Sequence, residues 1–207
     1  MKYVSADEAV KLVKSGDWVF FQGSTAVPVI IQEALARRAD ELRGVNIVSG
    51  FNITKGPAPF CKPEYKDSFF VNSLFLCADQ RQYVAQGYGS LIPGFLGEFP
   101  SLIRRHEIPI DVACINCSLP DENGYCSYNI SADLAQPAVE AAKIVIAQVN
   151  KSIPYLYGTA MIHESQITAA IECDDPPVDM QFGPPTEIES AIGSYIAAEI
   201  PAFRTPF

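Results

Sequence analysis

A chain of 207 residues, 48% hydrophobic and 19% charged, carries enough apolar material for one large α/β core, or one core and the start of another. Its 15 basic and 24 acidic residues leave a formal charge of −9, and no basic cluster exceeds two neighbours (Arg37-Arg38, Arg104-Arg105). A broad polyanionic partner is thereby excluded: neither nucleic acid nor an anionic membrane fits, and any phosphate site must be local.

Met1 to Val13 contains no signal-like apolar run, and no later stretch approaches the roughly 18 apolar residues of a membrane span. A cytoplasmic protein is expected. The six cysteines (Cys61, Cys77, Cys114, Cys117, Cys126, Cys173) sit mostly in apolar contexts and read as reduced core thiols rather than a disulfide framework.

Ser5-Ala6-Asp7-Glu8 is a capping-box pattern that opens a helix near 5–15, stopped by Gly16. Trp18 to Phe21 is a short β-prone run, and the strand predicted over 17–22 ends in Gln22-Gly23-Ser24-Thr25. Pro28 sits where a helix can start, and Ile30, Ile31, Ala34 and Leu35 then follow at helical spacing. Further strands are predicted at 45–49, 69–77, 110–117, 143–149 and 167–172, with helices over 80–86 and 132–142. Glycines and prolines divide 87–100 into loops, and Pro120 to Gly124 forms a tight turn with Gly124 at positive φ. Asp174 to Pro185 reads as a connector before a helix from Thr186 to about Glu199. Alternating strands and helices give the fold class: α/β, an open, largely parallel sheet with helices on both faces.

The loop Gly23-Ser24-Thr25-Ala26-Val27-Pro28 is the strongest local candidate for a binding site. Its small residues let a ligand approach the backbone, and a helix N-terminus follows. It matches neither the P-loop nor the dinucleotide fingerprint, and a plain tight βα connection explains it equally well. Cys114 and Cys117 have zinc-like spacing, but residues three apart on a strand face opposite ways, and no second pair exists; no metal is expected. His106 and His163 have no Gly-x-Ser-x-Gly partner pattern, and His163-Glu164 reads as an exposed loop pair. Glu172, Asp174 and Asp175 read as a solvated loop.

Several stretches together resemble the acetyl-CoA hydrolase/transferase family, which includes 4-hydroxybutyrate and butyrate–acetate CoA-transferases. They are Ser5 to Val10 with Ser15-Gly16-Asp17, Gly23 to Pro28 with Glu33-Ala34-Leu35, and Arg81, Gly87, Ile92-Pro93 and Phe99-Pro100. More specific are Pro109 to Ala113, Ser118 to Ser127 and Ala142 to Lys151, the last with Gln148 where glutamate is common. The resemblance runs from about Lys2 to Pro201 and covers about half of a complete member. It implies an N-terminal domain over 1–185, the start of a second over 186–207, and an active site between two similar domains, usually within a homodimer. It also implies ping-pong CoA transfer between acyl-CoA and small carboxylates, through a glutamate of the second domain. Coenzyme A is then substrate rather than resident cofactor, no catalytic residue lies in this chain, and Gly23, Ser24, Thr25 and Pro28 face the substrate. Net hydrolysis, or a non-catalytic scaffold paired with a separate glutamate-bearing half, are the alternatives.

Overall fold

The computed structural model describes residues 1–128, 130–179 and 182–200. The apolar runs become strands β1 (Trp18–Phe21), β2 (Val45–Ser49), β3 (Phe69–Ser73), β4 (Gly89–Leu91), β5 (Val112–Cys117), β7 (Ile144–Asn150) and β9 (Ala169–Cys173) of one seven-stranded sheet. Its order is β4-β3-β2-β1-β5-β7-β9, and every pairing is parallel. Both faces are covered, which is why the strands read as continuous rather than alternating apolar runs. One face packs on α2 (Val29–Ala36) and α3 (Ala78–Tyr83), the other on α4 (Phe99–Arg104) and α5 (Ala135–Ala141). Cys114 lies in the first core and Cys117 in the second, the opposite-face placement expected of residues three apart on a strand.

Three local expectations are corrected. Residues 87–100 are not simply loop. Gly89 opens β4 because a side chain there would meet the Val71 carbonyl at 2.5 Å, so only glycine lets this edge strand close on β3. Pro100 lies in the first turn of α4, where its missing N–H is harmless, and marks a helix start rather than a break. The helix expected over 5–15 is one α-turn, α1 (Ala6–Ala9), followed by a 3-10 turn over Val10–Leu12.

Beside the sheet, β6 (Tyr125–Ser127) and β8 (Met161–His163) form a small antiparallel pair. The turn leading into β6 is tied by Asp121, which accepts hydrogen bonds from Asn123 N (2.9 Å) and Tyr125 N (2.8 Å). Gly124 takes φ 81°, as its turn requires. His163 keeps to its own corner, with Nδ1 2.7 Å from Ser165 Oγ and its ring edge-on to Tyr125.

At the amino-terminal edge, Asp111 joins three strands. Its N–H donates to Trp18 O (2.8 Å), and its carbonyl accepts from Lys143 N (3.0 Å) and Ile144 N (3.1 Å). Its carboxylate accepts from Trp18 N and Lys143 Nζ, both at 3.0 Å. Partial burial pushes the Asp111 carboxyl upward, but these two donors together hold it below the usual carboxylate range. A depressed carboxyl stabilises the fold above its unfolded pKa and loses that contribution as pH falls through its folded value. Asp111→Asn should therefore cost about 1–2 kcal/mol in denaturant unfolding at pH 7. Native and variant midpoints should converge near pH 3; a constant offset down to that pH would show the charge to be irrelevant.

Candidate functional site

In an open parallel sheet, connections leaving in opposite directions part the carboxyl ends of two neighbouring strands and leave a crevice. Here the chain runs from β1 outward through β2, β3 and β4, then returns to β5 and proceeds the other way through β7 and β9. The switch point therefore lies between β1 and β5. The loop 23–28 leaves β1 there, which brings Gly23, Ser24 and Thr25 to the mouth of the crevice. Pro28 is buried at the entry to α2, a structural position behind the three smaller residues.

The residue before the loop holds it. Gln22 is fully buried; its Nε2 donates to Tyr128 O (2.9 Å) and Ser131 O (2.7 Å), and its Oε1 accepts from Asn116 N (2.7 Å). Gly23 runs so close to the neighbouring chain that a Cβ would stand 2.6 Å from the Phe51 carbonyl oxygen. Ser24 adopts φ 57°, donates its N–H to that carbonyl and accepts from Ile53 N at 3.0 Å. A left-handed serine costs about 1–2 kcal/mol and persists where its surroundings fix it, a pattern common at functional sites. Thr25 Oγ1 and Asn116 Oδ1 are buried, have no hydrogen-bond partner among the described residues, and line one small cavity under Pro176 and Pro177.

Along the same edge, beyond β2 and β3, opens a cavity of about 550 Å³ lined in part by Phe51, Asn52, Lys55, Phe75, Asp79 and Arg81. Asn52 Nδ2 donates to Asp79 Oδ2 at 2.8 Å. Burial pushes the Asp79 carboxyl up, against the lowering effect of that hydrogen bond, and burial also raises the neighbouring Cys77 thiol. Neither supplies an activated nucleophile: the thiol is held protonated, and the carboxylate is engaged by an amide. Among the described residues no three His, Cys, Asp or Glu side chains converge on a metal-sized point. No helix there is long and apolar enough to cross a membrane.

The loop is visible in the sequence because small residues between strand and helix announce it. Gln22, Phe51, Asn52, Asp79 and Asn116 are not, because each joins the site only through pairing of distant strands. The sole hint is polar residues such as Gln22 and Asn116 inside apolar runs, where burial demands partners.

Gly23 and Ser24 separate in mutagenesis. Gly23→Ala forces a methyl against a backbone carbonyl and should lower stability by about 1–3 kcal/mol. Ser24→Gly removes left-handed strain while adding backbone entropy to the unfolded chain, so it should stay within about 1 kcal/mol of the native protein. Thermal unfolding of both variants checks this; equal losses would contradict the described loop geometry.

Residues 1–180 match the family model described as the acetyl-CoA hydrolase/transferase N-terminal domain. The chain is 35% identical over 199 residues to a 4-hydroxybutyrate coenzyme A transferase of Clostridium kluyveri, covering 96% of this chain and 46% of that protein. It is also 35% identical over 201 residues to a succinyl-CoA:cyclohexane-1-carboxylate CoA transferase of Geobacter metallireducens, covering 95% and 44%. The solved 4-hydroxybutyrate CoA-transferase of Porphyromonas gingivalis superposes with a TM-score of 0.71 at 32% identity, over 88% of this chain and 42% of that one. RipA from Yersinia pestis, at 24% identity, shares the fold with a TM-score of 0.89 over 97% and 48%. The chain thus spans about half the length of the curated relatives it matches. With the sheet, the switch-point loop and these matches in agreement, the chain belongs to the acetyl-CoA hydrolase/transferase family, as an N-terminal domain.

Proposed function

We propose that this chain forms the substrate-shaping part of an acyl-CoA:carboxylate CoA-transferase, with Gly23, Ser24 and Thr25 facing the acyl and carboxylate groups and Pro28 fixing the loop behind them. The observation that carries this reading is the position of the loop at the switch point, where open parallel sheets bind their ligands. Transfer is favoured over net hydrolysis because the curated relatives are named as transferases. In the reaction, a glutamate carboxylate attacks the thioester carbonyl and releases CoA thiolate, leaving a mixed anhydride. The thiolate then attacks the enzyme's own carbonyl, giving a glutamyl-CoA thioester and freeing the first carboxylate. A second carboxylate reverses both steps and leaves as its CoA ester. The glutamate is assigned to residues beyond these 207, and coenzyme A to the role of substrate rather than resident cofactor. A homo-oligomeric, cytoplasmic enzyme fits this assignment.

We further place a domain boundary near 185. Supporting it, the final helix α6 (Glu187–Glu199) has no buried residue and exposes Ile188, Ile192, Tyr195 and Ile196, an apolar stripe that nothing in 1–179 covers. A thioester assay tests the reading. The purified 207-residue chain should turn over no acyl-CoA, and adding the C-terminal half of a complete relative should restore acetate-dependent transfer. Robust turnover by the chain alone would place the nucleophile within it, and water-dependent CoA release on mixing would favour hydrolysis.

A further inference from the structure

Phe51 and Phe75, at the carboxyl ends of β2 and β3, meet edge-to-face with ring centroids 5.4 Å apart and planes at 82°. They stand as a common wall between two cavities of nearly equal size. The cavity of about 550 Å³ described above carries Asn52, Lys55, Asp79 and Arg81. The second, of about 540 Å³, is completed by Leu74, Phe95, Leu96, Phe99 and Leu134. Asp133 is the single ionisable group lining this second chamber. Its Oδ1 is already taken by Ser131 Oγ (2.9 Å) and Leu134 N (2.8 Å). The remaining wall is carbon, and it is open: Phe95 is 79% and Leu96 64% exposed. Isolated exposed apolar residues need no explanation, but several around one concavity do.

The chamber is continuous with the switch-point loop. The carbonyl of Phe51 accepts the Ser24 N–H, so one residue both walls the chamber and holds the loop. Gly50 keeps the floor clear, since a Cβ there would stand 3.3 Å from Leu134 Cδ1.

We infer that this apolar chamber receives the hydrocarbon tail of the acyl group and makes the protein selective for aliphatic or alicyclic monocarboxylates over dicarboxylates. The inference rests on the reading that Gly23, Ser24 and Thr25 face the carboxyl end of the substrate. A tail of methylenes gains by leaving water against Phe75, Phe95 and Leu96, at about fourfold in affinity per buried CH₂. A second carboxylate in the same place would lose its hydration with no donor to replace it.

NMR titration of the 207-residue chain with acetate, butyrate, hexanoate, cyclohexanecarboxylate and adipate tests this directly. Affinity should rise about fourfold per methylene from acetate to hexanoate, cyclohexanecarboxylate should match hexanoate, and adipate should bind at least tenfold more weakly. Leu96→Asp changes an exposed side chain and leaves the core intact; it should bring hexanoate down to the level of acetate. A flat series in the native chain, no binding of hexanoate, or an unchanged series in Leu96→Asp overturns the chamber. A native chain that binds no acid but dimerises through the patch, with Leu96→Asp monomeric, assigns the patch to an interface and overturns it equally. Thr25→Val separates the two levels: it should weaken every acid by the same factor. A steep series that Thr25→Val leaves untouched would keep the chamber and sink the loop assignment.

Discussion

The arrangement at the carboxyl edge depends on one buried amide. Where β1 and β5 part company at the switch point, backbone groups lose the ladder partners that the rest of the sheet provides. Gln22 replaces them, donating to two carbonyls of the 128–131 segment and accepting from Asn116 N. The same geometry in open water would be worth little, because water would satisfy every group. In a site closed to water, each unpaired donor or acceptor costs about 1–3 kcal/mol, so the three bonds fix both the crevice and the segment closing it. The loop that follows can then hold an otherwise unfavourable serine conformation, since both ends are anchored: Gln22 before it and the buried start of α2 after it.

What the sequence shows follows from how local each determinant is. β1, β2, β5 and β7 are legible because burial on both faces leaves each an uninterrupted apolar run. α6 is legible from its capping box at Thr186 and Glu189, both halves of which form. β4 escapes detection because its three residues owe their conformation to β3, and its signal, a glycine under close backbone approach, looks like a loop residue. β6 and β8 escape for the same reason, since Tyr125 finds its partner His163 across a long insertion. At the site, the glycine-serine loop announces itself, whereas the aromatic wall of Phe51 and Phe75 does not. Each phenylalanine closes an apolar strand and reads as core until the sheet places both at its open edge.

The division of labour across the crevice is consistent with a half-length domain. Loop 23–28 presents backbone and small side chains, and the carboxylate nearest it in the wall, Asp79, is buried and held by an amide. Such a surface can position a substrate and exclude water, but it supplies no nucleophile of its own. Covalent transfer needs a carboxylate that is solvated enough to ionise and free enough to attack. The uncovered stripe on α6 carries the same message from a different direction: a helix with no buried residue gains nothing from this sheet and needs another apolar surface.

Electrostatics sharpen the point. A protein of formal charge −9 repels anionic acyl-CoA and carboxylate substrates at long range. At physiological ionic strength that repulsion decays over about 8 Å, so the nearest groups decide binding. Along the edge those groups are Lys55 and Arg81 on the polar side of the aromatic wall, and carbon on the other. A charged tail entering the apolar side would meet neither cation nor water, whereas a hydrocarbon tail entering it loses nothing that water supplied. The Phe51–Phe75 wall thus separates two solvents within one crevice, and the partition of a substrate between them is decided by its tail, since both chambers open beside the same loop.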